Sequence, residues 1–109
     1  MNTNMNTPWG RSDYQKAIAP GITFYGTPSH GGFHISKELE ASIPDEVKAP
    51  AREYAPEQWY EEDCDCIIPL ALLPGVPEAD AKWAREDARR HYNRERYAAL
   101  IAELDKRGL

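Results

Sequence analysis

The segment Thr27-Pro28-Ser29-His30-Gly31-Gly32 has the residue types of a working loop. Its adjacent glycines permit positive backbone dihedrals and the close approach of a ligand or another chain. Successive N–H groups in such a turn can form a concavity that holds an anion. His30 at the apex can serve as acid, base or hydrogen-bond donor near neutral pH. The plainer reading is a tight hairpin whose histidine ties the loop to a sheet. A second candidate is Trp59-Tyr60-Glu61-Glu62-Asp63-Cys64-Asp65-Cys66, with five carboxylates between Glu57 and Asp65. On a helix Glu62 would share a face with Cys66, and Glu61 with Asp65. Such a stretch is a solvated acidic face, or else the source of one inward carboxylate, Glu62 or Asp63, that orients His30.

Together these segments allow an enzymatic reading, a small hydrolase or nucleotide-modifying protein. In it His30 is acid or base and the N–H groups of Gly31 and Gly32 stabilise anionic oxygen. Zinc is the other chemistry to weigh, because His30, His34, Cys64 and Cys66 offer four ligands. Structural zinc sites use wider cysteine spacing than C-x-C, which cannot easily turn both sulfurs of a helix toward one ion. No metal is therefore expected, and the cysteines read as a buried or half-buried thiol pair, reduced in the cytosol. The chain contains no phosphate loop, dinucleotide fingerprint or paired-histidine helix motif, so no cofactor is expected either. Thr7-Pro8-Trp9-Gly10 echoes Thr27-Pro28 and suggests an aromatic docked on a sheet edge.

The elements that must position these residues divide at Leu73-Pro74-Gly75-Val76-Pro77. All nine prolines and six of seven glycines precede residue 78, and net charge is -6 up to Val76 and +1 from Pro77. Tyr14 to Ala19 and Ile22 to Tyr25 read as strands of a hairpin, since Pro20-Gly21 suits the centre of a type II turn. Phe33 to Ile35 is a third strand. Ser36 can cap a short helix that runs to about Ser42, before Ile43-Pro44 stops it. Asp45 to Ala55 reads as one helical turn and otherwise loop. A helix is predicted from about Glu57 to Ile67, with an apolar segment to Leu73 packed into the core. Pro77, Glu78 and Asp80 open a long C-terminal helix that ends at Lys106, Arg107 and Gly108. Trp83, Tyr97, Leu100, Ile101 and Leu104 are its apolar anchors, and the charged stretch between Arg85 and Arg96 is solvated.

The expected fold is α+β: a small antiparallel sheet from the N-terminal half packed against helices, with a long C-terminal helix. With 109 residues it is read as one domain, 1–109, comprising a motif-bearing core over 7–73 and the helix over 77–107. Apolar residues make up 41% and charged residues 28%, enough for a core and too balanced for wholesale disorder. A net charge of -5 argues against direct nucleic-acid binding by the surface as a whole. No apolar run approaches the roughly 20 residues that span a bilayer. The start, MNTNMNTPWG, has neither the basic residues nor the apolar stretch of a secretion signal. A cytoplasmic protein with no membrane contact is the expectation.

The motifs Thr7-Pro8-Trp9-Gly10, Ala19-Pro20-Gly21-Ile22, Thr27-Pro28-Ser29-His30-Gly31-Gly32 and Trp59-Tyr60-Glu61-Glu62-Asp63-Cys64 occur in that order. Over residues 7 to 73 the series resembles a family of small domains carried by bacteriophages, prophages and plasmids, often within or beside anti-restriction-type proteins. This chain departs from the pattern at Phe33 and Cys66, and His34 lies outside it. The resemblance brings no activity with it. It implies a setting, a mobile-element protein in a bacterial host cell.

The function expected from these observations is non-catalytic. The protein would bind and neutralise a host defence component, as an anti-CRISPR or similar inhibitor does, and its partner would be a nucleic-acid-binding protein. Acidic surfaces steer toward basic grooves, in a manner that weakens with salt. Glu57, Glu61, Glu62, Asp63 and Asp65 would supply charge, Trp59 and Tyr60 aromatic anchors, and Ser29, His30, Gly31 and Gly32 a contact loop. A sponge for a small nucleotide held at His30 to Gly32, the hydrolase above, and a structural module that homodimerises through the C-terminal helix are the alternatives.

Overall fold

A computed structural model describes residues 5–109. The first residues of MNTNMNTPWG, Met1 to Asn4, where no signal segment was expected, lie outside the described residues. The described chain is α+β. Strands β1 (Asn6–Thr7) and β2 (Gly10–Arg11) make a small antiparallel hairpin. Strands β3 (Tyr14–Ala19), β4 (Ile22–Gly26), β5 (Gly31–Ile35) and β6 (Trp59–Glu61) form an antiparallel sheet in the order β3-β4-β5-β6. The helices are α1 (Lys37–Ser42), α2 (Asp45–Lys48), α3 (Ile67–Leu72), α4 (Glu78–Ala88) and α5 (Ala98–Lys106), with 3-10 turns at Ala49–Glu53 and His91–Asn93.

Three strands lie close to where the apolar runs and turn chemistry placed them, with β5 beginning at Gly31, two residues before the expected Phe33. Gly21 takes φ 82° between β3 and β4, the left-handed geometry that a Pro-Gly type II turn needs at its second central residue. Ser36 caps α1 as expected, its Oγ accepting from the Leu39 N–H at 3.2 Å. Because side chains alternate along a strand, the register sorts the sheet into two faces. Ile22, Ile35 and Tyr60 face the helices and are fully buried with Ile67, Ile68, Leu100 and Leu104 in one cluster. Tyr25, Gly32, His34 and Trp59 lie on the opposite face, beneath the β1–β2 hairpin.

The predicted helix over Glu57 to Ile67 is not formed. Gln58, at φ 75°, turns the chain into β6, where Trp59 pairs with His34, Tyr60 with Phe33 and Glu61 with Gly32. Trp59-Tyr60 is a pair of sheet-favouring aromatics that can fill both faces of a strand, one ring on each. The chain then reverses through Glu62 to Cys66, whose N–H donates to the Glu61 carbonyl at 3.0 Å, and only α3 beyond it is helical.

The long C-terminal helix over 77–107 is also broken. Helix α4 stops at Ala88, Arg90 is extended, and α5 spans only Ala98–Lys106. The Asn93 side-chain amide donates to the Asp87 carbonyl at 2.8 Å and holds the chain end of α4. Between Arg85 and Arg96 there is no apolar stripe to keep a straight helix on the core. The chain instead folds back, so that Tyr97, Leu100 and Leu104 are buried. Ala81, Ala84 and Ala88 form the buried face of α4, small enough for close packing against α3. Trp83, expected as a core anchor, lies off that face and is 46% exposed.

Candidate functional site

The turn between β4 and β5 is closed by Thr27. Its hydroxyl donates to the His30 carbonyl at 2.6 Å and accepts the His30 N–H at 3.0 Å, and its own N–H also donates to that carbonyl. Ser29 and His30 are therefore held at an exposed tip. Gly31 and Gly32 are not part of it. They are buried residues of β5, paired with Gly26, Tyr25 and Glu61, and neither has a positive φ. Their N–H groups lie along a strand, which is not the concave geometry of an oxyanion or phosphate turn.

What these glycines provide is contact distance. A Cβ on Gly32 would collide with the ring of Trp9 and come within 2.8 Å of the Tyr60 carbonyl oxygen. Trp9 therefore docks on the sheet face over Gly32, not on a sheet edge as expected. Its ring meets Trp59 edge-on, with centroids 5.8 Å apart. Tyr25 and His34 complete the cluster at 5.7 and 4.8 Å from Trp59. Burial lowers the His34 pKa, with Glu40 opposing the shift, and the His34 ring meets the indole at a tilt of 60°. Thr7-Pro8-Trp9-Gly10 and Gly32 of the third motif are thus two halves of one packing unit, while Gly31 faces the other side of the sheet, against Phe24.

The same β-ladder brings the third and fourth motifs together. Glu62 N–H donates to the Gly31 carbonyl at 3.1 Å, which sets the acidic turn beside the His30 tip. His30 Nδ1 lies 4.0 Å from Asp63 Oδ2, with the two side chains 53% and 70% exposed. That is beyond hydrogen-bond reach, so the carboxylate does not orient the imidazole as a general base would require. Glu62 and Asp63 point to solvent, and Glu61 is half-buried with its Oε1 3.8 Å from the Cys64 thiol. Trp59 and Tyr60, expected as exposed anchors, are inside. Tyr60 is fully buried and donates to Glu40 Oε1 at 2.7 Å.

The cysteines are half-buried at Cys64 and buried at Cys66. Burial first, then the neighbouring carboxylates Asp65 and Glu61, pushes Cys64 up to about 12. Cys66 is pushed up to about 12 by burial and by Cys64, Asp65, Asp87 and Glu62. These are inert thiols in a negative field, the reverse of an activated nucleophile. Among the described residues no three His, Cys, Asp or Glu side chains gather as a metal site needs.

Asp65, which looked like one more surface carboxylate, is completely buried. It accepts from Tyr97 Oη at 2.8 Å and from Arg96 at 3.2 Å. Arg96 also reaches Glu53 at 2.7 Å and lies over the Tyr54 and Tyr97 rings. No spacing signal marks this cluster, because Arg96 and Tyr97 lie 31 and 32 positions beyond Asp65, and Arg96 lies 43 beyond Glu53.

The acidic turn and α4 enclose two adjoining cavities, of about 310 and 340 Å³, that share Glu62, Cys66 and Trp83 as walls. One is floored by Ile18, Phe24, Phe33 and Leu70. The other is bordered by Asp63, Asp87 and Tyr92. Trp83 and Tyr92, 46% and 73% exposed, are the aromatic rings that the surface offers here.

The chain belongs to a family defined by a domain of unknown function, DUF7007, which it matches over residues 2–108. No curated protein and no solved structure matches it. No helix among the described residues is long and apolar enough to cross a membrane.

Proposed function

We propose that this is a non-catalytic binding protein of a phage or related mobile element, which captures and neutralises a basic, nucleic-acid-binding component of host defence in the bacterial cytoplasm. The observation that carries the reading is the outward acidic turn at Glu62 and Asp63, set beside the exposed rings of Trp83 and Tyr92. Carboxylates and large rings on one face are the combination that attracts and then anchors a basic protein surface. The order of the sequence motifs, similar to that of domains found on phages and plasmids, supports the setting, and the acidic face supports the anti-CRISPR-like role. The net charge of -5 supports a protein partner over direct contact with nucleic acid. The long distance from His30 to Asp63 and the strand geometry of Gly31 and Gly32 weigh against the hydrolase and the nucleotide sponge.

The test is a tagged pull-down from host lysate at low and high salt, comparing the wild type with a Glu62→Lys/Asp63→Lys double variant. A stoichiometric partner that is released by salt and lost in the variant supports the reading. Capture that ignores both salt and charge reversal overturns it, and pure self-association transfers the case to a homodimerising module.

A further inference from the structure

We propose that the paired cavity between the acidic turn and α4 is the seat for a partner segment in which an apolar side chain stands beside an arginine. This deepens the binding reading above and rests on it. The two chambers differ in chemistry. Ile18, Phe24, Phe33 and Leu70 floor the first, where Lys16 and Asp80 stand at its mouth with opposite charge. Aliphatic burial is the attraction there. Glu62, Asp63 and Asp87 border the second, with Tyr92 and Trp83 as walls. Asp87 is already engaged by Arg90 at 3.1 Å, whereas among the described residues the Glu62 carboxylate has no hydrogen bond or ion pair. Glu62 and Trp83 line both chambers, so an occupant that fills the apolar one brings its neighbouring side chain to the open carboxylate.

Arginine fits better than lysine because its flat guanidinium can both pair with a carboxylate and lie on an aromatic face. The chain uses the same chemistry for its own Arg96, which combines the carboxylates of Asp65 and Glu53 with the Tyr54 and Tyr97 rings. At the cavity the carboxylate and the rings are in place, and the guanidinium is left to the partner. Glu62, Asp63 and Asp87 around the second chamber make the field there negative, and Asp87 and Glu62 add to the burial that pushes the Cys66 thiol up.

The probe is the blocked tetrapeptide acetyl-Gly-Leu-Arg-Gly-amide, titrated into the isotope-labelled protein and followed by amide and indole N–H resonances. Two control peptides replace leucine by glycine, or arginine by its neutral isostere citrulline. Saturable shifts at the Trp83 indole and the Glu62 amide are expected, at least about fivefold weaker with either control peptide and with Glu62→Gln/Asp63→Asn. Salt at 0.5 M should weaken the arginine peptide and leave the citrulline peptide unchanged. Absence of shifts at these residues, or equal binding of all three peptides to the wild type, overturns the seat without recourse to any variant. The lysate pull-down reads the wider function separately. A charge-dependent partner retained by Trp83→Ala removes this seat while leaving the binding function standing.

Discussion

Position 32 shows how little room a side chain has under the Trp9 ring. Replacing Gly32 by alanine sets a methyl group against the indole and near the Tyr60 carbonyl. The expected loss is about 1–3 kcal/mol, the usual cost of forcing extra volume into packed structure. In a Trp9→Ala background the loss should shrink without vanishing, because the carbonyl remains, and a double-mutant cycle by chemical denaturation measures the difference. The thiols support a second prediction at this scale. Cys64 and Cys66 stay protonated in the fold up to about pH 12, while in the unfolded chain they ionise from an ordinary value of 9.0. Above pH 9 the unfolded state therefore binds fewer protons, and stability should fall as pH rises from there toward 12. A Cys64→Ala/Cys66→Ala variant should show a flatter alkaline limb in denaturant titrations, and the native thiols should resist iodoacetamide at pH 8.

Among the elements, β1 and β2 are two-residue strands that hold to the sheet through the Trp9 ring and the bond from Asp13 N–H to the Gly26 carbonyl, while Ser12 N–H to the Met5 carbonyl only closes the hairpin on itself. Amide exchange should accordingly be fast at residues 6–11 and slow along β4 and β5, each of which has a partner on both sides. Equal protection in the two regions would contradict this hierarchy. The strands Tyr14–Ala19, Ile22–Gly26 and Gly31–Ile35 and the Ser36-capped helix were legible because local chemistry decides them: apolar runs, a Pro-Gly turn, a hydroxyl before a helical run. Strand β6 was not. Three residues are too few to display a period, and the surrounding carboxylates mimic a helix start. The break in the C-terminal helix was hidden for a different reason. It answers a buried carboxylate, Asp65, that lies 31 positions earlier than Arg96. The candidate site shares both limits: its acidic residues were visible, but Trp83 is exposed because Ala81, Ala84 and Ala88 took the inner face of α4, and Tyr92 because it stands in the 3-10 turn where the helix breaks.

Across the whole molecule, Arg96 is the tie between the motif-bearing segment and the C-terminal one. It spans Asp65, Glu53 and the Pro50 carbonyl, all on the earlier side of the Leu73 to Pro77 break. Arg96→Leu leaves Asp65 buried without its cationic partner, the Tyr97 hydroxyl remaining as a donor. Removing one member of a buried pair commonly costs about 3–5 kcal/mol, and partial exposure of Arg96 places the expected loss near the lower figure. Equilibrium unfolding should still be a single transition followed equally by Trp59-region and C-terminal probes, because one buried cluster draws on residues from Ile22 to Leu104. Two separated transitions would show that the segments are stable independently.

The interlock of Trp9 with Gly32 also makes a statement about descent. A side chain at position 32 and an indole at position 9 fit this fold together only with displacement and a loss of stability, so the two Thr-Pro motifs are expected to be inherited as a unit. A related sequence that carries alanine or serine in place of the second glycine should have lost the early tryptophan too, and any exchange of N-terminal segments between relatives should fail unless the glycine travels with it.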